Sequence, residues 1–242
     1  MADLKRAALF VTCLGDQILP EIGTASVRLL QRAGYDVVFP EEQTCCGQPF
    51  FNSGFRRQAV DLAKKTIEVF EVFDTVVLPS GSCTAMIRVE YPHLFETKSP
   101  WKRRAEELAS KTYELSEFLI HKAQWMPAQQ PNLPGVTYHD SCHMCRHLEI
   151  KDEPRRLLAS AGYPIIEMEE SDRCCGFGGL FSVRLPEVSN AMTLEKLRQA
   201  VETGSKILVT ADPGCLIQMR GMLDDPSFRI EHVATILEGG IE

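Results

Sequence analysis

Short apolar runs alternate with longer amphipathic stretches along the chain of 242 residues. The apolar runs, rich in valine, isoleucine and phenylalanine, predict buried strands at residues 7–12, 35–39, 75–78, 135–139, 163–168, 206–210 and 228–232. Apolar positions with helical spacing predict helices at residues 19–33, 55–73, 102–124, 186–202 and 234–238, with shorter helices near residues 83, 154 and 215. Because strands and helices alternate, we predict an α/β fold with parallel sheets.

Local signals mark the ends of two of the shorter helices. Ser82 is expected to cap a helix that begins at Cys83, because a serine hydroxyl accepts hydrogen bonds from the free N–H groups of a first turn. Pro154 suits the first turn of a helix, and Gly162 suits the position just after its last residue.

The second half of the chain repeats the first. Cys13 and Cys142 are 129 positions apart, and the same spacing separates the triplet Cys-Cys-Gly at 45–47 from its copy at 174–176. Residues 127–134 contain three prolines and no apolar periodicity, which is typical of a linker. We therefore predict two related Rossmann-like α/β units with parallel sheets, a first cysteine-rich domain at residues 1–126 and a second at 135–242.

The cysteines follow predicted strands, so they are expected to lie at the carboxyl ends of those strands. In parallel sheets these ends share one edge, and ligands bind beyond it. Several thiols converging there suit either a zinc ion or an iron–sulfur cluster. Cys83, Cys142 and Cys215 also stand where helices are predicted to begin, and a helix N-terminus favours the thiolate.

Charge and cysteine usage restrict the class of protein. The chain carries 33 acidic and 26 basic side chains, a net charge of −7, which argues against a nucleic-acid-binding face. The apolar run at residues 7–14 is too short for a transmembrane segment, which needs about 20 residues. Nine cysteines, an odd number, fit reduced thiols in a cytoplasmic protein better than a disulfide framework.

Simpler interpretations of these residues remain open. A buried cysteine is often just a small apolar side chain, and each doublet could form a vicinal disulfide. The glycines at 176–179 resemble a phosphate-binding loop, but no Lys-Ser or Lys-Thr follows them. The three histidines near the second site, His139, His143 and His147, are interpreted as surface or supporting side chains rather than ligands. Arg146 and Arg173 flank the second site and either offset the charge of a thiolate cluster or are ordinary solvated arginines.

A lone cysteine, then Cys-Cys-Gly, then a closing cysteine after the third strand is a specific pattern. It resembles the CCG cysteine-rich domain found in heterodisulfide reductase and in the iron–sulfur subunits of glycolate oxidase and anaerobic glycerol-3-phosphate dehydrogenase. A tandem pair of this length, covering nearly the whole chain, is most similar to the lactate utilization protein A family.

The resemblance implies an iron–sulfur electron-transfer subunit of an L-lactate-oxidising complex that forms pyruvate. Such an oxidoreductase subunit is not catalytic alone and works with other subunits, including a ferredoxin-like iron–sulfur protein. The implied ligands of the first site are Cys13, Cys45, Cys46 and Cys83. Those of the second site are Cys142, Cys174, Cys175 and Cys215, with Cys145 as an additional thiol.

The sequence departs from the family pattern at the closing Cys-x-x-Cys of each half, where Met86 and Gln218 replace the last cysteine. This favours a [4Fe–4S] cluster, at least in the second half, over paired non-cubane clusters, and leaves zinc open at one site. If only one half is redox-active, the second is expected to be. Two alternatives remain: a zinc-stabilised interaction module, or a subunit of another 2-hydroxyacid or thiol–disulfide oxidoreductase complex.

Overall fold

A computed structural model describes residues 5–239 and contains two parallel sheets, one in each half of the chain. The first sheet has the order β2-β1-β3-β4 and consists of β1 (Lys5–Leu9), β2 (Tyr35–Val38), β3 (Val76–Leu78) and β4 (Thr112–Glu114). The second has the order β5-β6-β7 and consists of β5 (Thr137–His139), β6 (Ile207–Thr210) and β7 (Arg229–His232). All of these pairs are parallel, which confirms the predicted α/β class with two related units.

Helices connect the strands in both units. Those of the first unit are α1 (Cys13–Gln17), α2 (Pro20–Arg32), α3 (Gln48–Asn52), α4 (Arg56–Phe70), α5 (Gly81–Ala85), α6 (Tyr91–Leu94), α7 (Pro100–Ser110) and α8 (Leu115–Glu117). Those of the second are α9 (Cys142–His147), α10 (Asp152–Ala161), α11 (Leu180–Arg184), α12 (Pro186–Glu202), α13 (Pro213–Arg220) and α14 (Val233–Gly239). One π-helical turn, Met86–Glu90, joins α5 to α6, and another, Phe118–Lys122, continues α8.

The prediction of a single helix at residues 102–124 is wrong. Helix α7 ends at Ser110, and β4 follows it in register with β3, with Thr112 opposite Val76. Thr112 and Glu114 are both buried. Pairing with the free edge of β3 overrides the helical pattern of the segment, because the strand buries residues that an exposed helix would leave in water.

The strand predicted at residues 163–168 is reduced to one bridge. Val136 and Ile165 form an isolated parallel bridge, with the N–H of Val136 donating to Pro164 and the N–H of Ile166 donating to Val136. Pro164 has no N–H of its own, so it cannot extend the ladder. The bridge still occupies the place that β2 has in the first sheet.

The two units share a hydrophobic core. Alternate residues of both sheets, such as Leu9 and Val77 in the first and Tyr138 and Val209 in the second, belong to one buried cluster. Helices α2 and α14 pack against each other within it. The opposite faces of the sheets carry separate clusters of their own. The bounds predicted for two domains stay a prediction, because this core spans both of them.

Within residues 5–239, helices with the length and apolar character needed to cross a membrane are absent.

Candidate metal centre

Each Cys-Cys-Gly triplet forms the same tight turn. Gly47 has φ of 87° and Gly176 has φ of 91°, a left-handed conformation that glycine adopts without strain. The backbone N–H of Gly47 donates to Sγ of Cys45 at 3.4 Å, and that of Gly176 donates to Sγ of Cys174 at 3.4 Å. The turn thus aims one thiol of each doublet and gives it a hydrogen-bond donor.

The first cysteine site lies at the carboxyl ends of β1, β2 and β3. The Sγ atoms of Cys13 and Cys45 are 3.7 Å apart, and those of Cys46 and Cys83 are 3.2 Å apart. All four thiols line a cavity of about 100 Å³. The structure therefore brings together the four residues that the resemblance assigns to the first site.

Hydrogen bonds from capping side chains fix the first turns of the helices that carry Cys13 and Cys83. Thr12 accepts a hydrogen bond from the N–H of Gly15, which fixes the start of α1 at Cys13. The predicted cap at Ser82 is wrong, because Ser80 Oγ accepts from the N–H of Cys83 at 3.3 Å and α5 begins two residues earlier than expected.

The second site has the same arrangement in the second unit. Cys142, Cys174, Cys175 and Cys215 line a cavity of about 80 Å³. Cys142 begins α9, while Cys215 lies in the first turn of α13, whose cap is Asp212.

Cys145, the additional thiol, is not among the residues that line the second cavity. It is buried on α9, with its Sγ 3.9 Å from the carbonyl oxygen of Cys142.

Thiol–thiol contacts set the protonation of each doublet in the same way. Hydrogen bonds from Cys13 and Cys46, with that from Gly47, lower the pKa of Cys45 to about 3. Hydrogen bonds from Cys142 and Cys175 lower the pKa of Cys174 to about 2. Each site therefore holds a thiolate in its doublet. The thiolates expected at two of the helix starts are not found, because the contact with Cys174 and burial raise the pKa of Cys142, and the hydrogen bond from Cys175 is outweighed by burial and nearby negative charge, which raise the pKa of Cys215. A bound cation would displace the remaining protons, since thiolates are the ligands.

His139 is closer to the second site than the sequence alone indicates. The imidazole is fully buried rather than at the surface, and a ring nitrogen lies within 4.8 Å of the thiol sulfurs of Cys175 and Cys215. Neither ring nitrogen has a hydrogen-bond partner among the described residues. Burial lowers the pKa of His139 to about 4, so the ring is neutral and offers one donor and one acceptor nitrogen.

The other predicted histidines and arginines lie further out. His143 lines the second cavity, with its Nδ1 3.6 Å from Sγ of Cys142, and the rings of His143 and His147 are 5.1 Å apart. Arg146 donates to the carbonyl of Asp172. Arg173 is about half exposed and pairs with two surface glutamates, as expected of a solvated arginine.

The two cavities share one wall. Gln48, Pro49, Ser82 and Phe177 line both of them. Asp212 ties the units together here, since its Oδ2 accepts a hydrogen bond from the N–H of Ser82 at 2.7 Å. The two cysteine sites are therefore neighbours across a partition of a few side chains.

A more open cavity of about 300 Å³ lies on the outer side of the first site. Cys13 and Cys45 border it, together with the carboxylates of Asp16 and Glu41. Two carboxylates without a basic side chain among the lining residues make this cavity unfavourable for an anionic ligand.

The fold and the paired thiol sites define a class of tandem cysteine-rich proteins. The family model of the cysteine-rich domain, CCG, matches twice, at residues 7–88 and 136–220.

Curated relatives narrow this class. Lactate utilization protein A of Exiguobacterium sp. is 41% identical over 244 residues, 99% of this chain and 99% of that protein. Its namesake from Bacillus subtilis is 43% identical over 235 residues, covering 96% and 98%. The one from Shouchella clausii is 44% identical over 233 residues, covering 95% and 97%. The chain belongs to the lactate utilization protein A family of tandem cysteine-rich domain proteins.

A solved structure shares the fold. A hypothetical protein from Helicobacter pylori aligns with a TM-score of 0.71 at 8% identity, over 98% of this chain and 49% of that one. This chain thus spans about half the length of that protein, and the likeness concerns the fold alone.

The residues present fit a thiolate-bound metal group. Each site offers four convergent thiols, a glycine N–H aimed at a sulfur, and a cavity at the thiols. In the second site, the orphaned nitrogens of His139 add a buried polar group that lacks a partner among the described residues. A buried imidazole without a hydrogen bond is costly, so a bound group beside the thiols would relieve that cost.

Proposed function

We propose that this chain is an iron–sulfur electron-transfer subunit of a complex that oxidises L-lactate to pyruvate. The observation that carries the proposal is the pair of four-thiol sites at the carboxyl edges of two parallel sheets, separated by a shared wall. Its relatives of similar length are named for lactate utilization, which supports lactate as the substrate of the complex.

The proposed ligands are the eight cysteines that line the two cavities, and a [4Fe–4S] cluster is the proposed group, at least in the second unit. Such a cluster takes up and releases one electron at a time. The N–H groups of Gly47 and Gly176 would donate to ligand sulfurs, which stabilises the charge of the reduced state. Cys145, the additional thiol expected from the sequence, lies outside the cavity lining, and we propose that the cluster binds without it.

Lactate itself is proposed to react on another subunit. The open cavity beside the first site is lined by Asp16 and Glu41, which repel the lactate carboxylate. We therefore assign this chain an electron-transfer role beside other subunits, among them a ferredoxin-like iron–sulfur protein. The reduced thiols suit a cytoplasmic complex.

The test is metal and sulfide analysis of protein purified without oxygen. We expect a brown protein with iron and acid-labile sulfide in equal amounts. Cys46→Ser and Cys175→Ser form a matched pair, because the two cysteines hold the same place in the two turns. Each variant is expected to lose the iron of its own unit only. Colourless protein without iron or sulfide after anaerobic reconstitution would overturn the proposal.

One observation favours a second candidate, a zinc-stabilised interaction module. His139, Cys175 and Cys215 place three potential ligand atoms within 4.8 Å of one another, a span that suits a single ion. This candidate predicts stoichiometric zinc, no visible absorption and unfolding on chelation. Iron and sulfide in both units would exclude it.

A further inference from the structure

The two cysteine sites are built on matching backbone, which allows their surroundings to be compared position by position. A Cβ atom on Gly47 would lie 3.3 Å from Cβ of Leu62, and one on Gly176 would lie 3.3 Å from Cβ of Met192. Leu62 and Met192 are 130 positions apart, so α4 beneath the first doublet corresponds to α12 beneath the second at this spacing.

The first site rests on neutral side chains. Phe10, directly after β1, is fully buried and stacks on Phe70 with ring centroids 5.1 Å apart. Thr66, on the face of α4 that packs toward the doublet, is also buried. Neither side chain carries a charge, so these two positions add no electrostatic preference for the more negative state of a bound group.

The second site has His139 and Lys196 at these two positions. His139 is 129 positions after Phe10, the same spacing as Cys13 and Cys142, and Lys196 is 130 positions after Thr66. The relative exposure of Lys196 is 0%, which is rare for a lysine. A histidine and a lysine thus replace a phenylalanine and a threonine under one site only.

Contacts hold the ammonium of Lys196 against the loop that precedes the second doublet. Its Nζ donates to the carbonyl of Glu170 at 2.6 Å and to that of Ser171 at 3.4 Å, in the loop that leads to Cys174. One turn earlier on α12, Thr193 Oγ1 donates to the carbonyl of Cys175 at 2.8 Å. Burial lowers the pKa of Lys196 to about 8, so the side chain is mainly charged at neutral pH.

The physical effect of this difference has a definite sign. Reduction adds one negative charge to a thiolate-bound group. A fixed positive charge in a buried, low-dielectric setting stabilises that charge. A neutral imidazole that turns its N–H toward a ligand sulfur does the same. Hydrogen bonds to the sulfurs and nearby positive charge both raise the reduction potential of a cluster. The second site has the buried ammonium of Lys196 and a His139 ring nitrogen within 4.8 Å of two ligand sulfurs, while Phe10 and Thr66 at the equivalent positions of the first site supply neither a charge nor an imidazole.

We propose that Lys196 and His139 are positioning residues that make the second site the stronger electron acceptor, so that the first electron taken up by the protein resides there. The inference rests on the proposed iron–sulfur function and deepens it, since it assigns a direction to electron flow from the first unit to the second. The two sites between which that electron would pass are neighbours, since Gln48, Pro49, Ser82 and Phe177 line both cavities.

The experiment is a redox titration of the iron-loaded protein with dithionite, followed by electron paramagnetic resonance. Dithionite is oxidised and each site takes up one electron, with no bond made or broken in the protein. We expect two steps whose midpoints correspond to at least a tenfold difference in electron affinity, about 59 mV for a one-electron couple. The step at higher potential belongs to the second site.

Variants assign the steps and test the two residues. Lys196→Met keeps the length of the side chain without its charge. It is expected to lower the electron affinity of the second site, and so the midpoint potential of the higher step, by tenfold or more in affinity, and to leave the potential of the lower step unchanged. Lys196→Arg keeps the charge and should retain the parent value. His139→Phe introduces the side chain of the first site and should also lower the higher step. His139→Asn retains an N–H donor and should lower it less.

Arg173→Gln is the control for an exposed charge. Arg173 also flanks the second doublet, but it is about half exposed and paired with glutamates, so solvent screens it and little shift is expected. If Lys196→Met moves the lower step, moves neither step, or shifts the higher step no more than Arg173→Gln does, the inference is overturned while the proposed function stands. Absence of iron and sulfide would overturn the proposed function itself.

Discussion

The turn after each doublet gives a stability prediction that can be worked out from two glycines. Gly47 and Gly176 have nearly the same φ, 87° and 91°, but their surroundings differ. A Cβ atom on Gly176 would lie 2.5 Å from the carbonyl oxygen of Ser189 and 2.8 Å from Oγ1 of Thr193. On Gly47 the nearest atom would be 3.3 Å away, on Leu62. Alanine should therefore be tolerated much less well at the second turn.

The expected magnitudes separate backbone strain from steric overlap. Placing alanine in the left-handed region costs about 1–2 kcal/mol. Gly204 provides that reference, since its φ is 77° and a Cβ atom there meets nothing within 4 Å. Forcing atoms into a packed region adds about 1–3 kcal/mol. We expect Gly204→Ala and Gly47→Ala to cost about 1–2 kcal/mol each, and Gly176→Ala about 2–5 kcal/mol.

The assay is urea unfolding of the metal-free, reduced protein, which reports the free energy of unfolding for each variant without a contribution from metal binding. Iron analysis of the same variants after reconstitution should show loss of the second site in Gly176→Ala only. The reasoning is refuted if Gly176→Ala destabilises the protein by no more than Gly204→Ala within about 0.5 kcal/mol, the usual error of such comparisons.

Two further predictions concern buried side chains elsewhere. Desolvation raises the pKa of the buried carboxyl of Glu114 from 4.5 to about 8, so unfolding releases a proton between these values and stability falls as pH rises through them. Glu114→Gln should remove most of this fall in the free energy of unfolding, which is at most about 5 kcal/mol. Urea unfolding curves recorded across this pH range test it, and a variant whose stability falls with pH as steeply as the parent's would contradict it. Cys145→Ala should leave the iron content of the reconstituted protein unchanged, because the Sγ of Cys145 lies against the carbonyl of Cys142 rather than in the cavity lining. Loss of iron from the second unit would show instead that Cys145 is a ligand.

Several features of the fold followed from the sequence because they depend on local periodicity. The bounds of α12, Pro186–Glu202, were predicted to the residue, and Gly162 ends α10 in the left-handed conformation expected of it. The repeat spacing also predicted related units. By contrast, β4 was missed, since it becomes a strand only when the edge of β3 is present to pair with it. The similarity between residues 114–119 and 232–237, which begin at the last residues of β4 and β7, was the signal that could have revealed it.

The sequence by itself determined which thiols converge, because parallel strands bring their carboxyl ends to one edge wherever the intervening chain runs. Only the tertiary structure decided what lies beneath those thiols. The depth of His139 and Lys196 depends on how α12 packs under the second doublet, which no local pattern records. The hints in the sequence were His139 where the repeat has Phe10 and Lys196 where it has Thr66. Burial, rather than residue type, turns these two side chains from ordinary polar groups into a neutral imidazole and an ammonium ion enclosed beneath the second site.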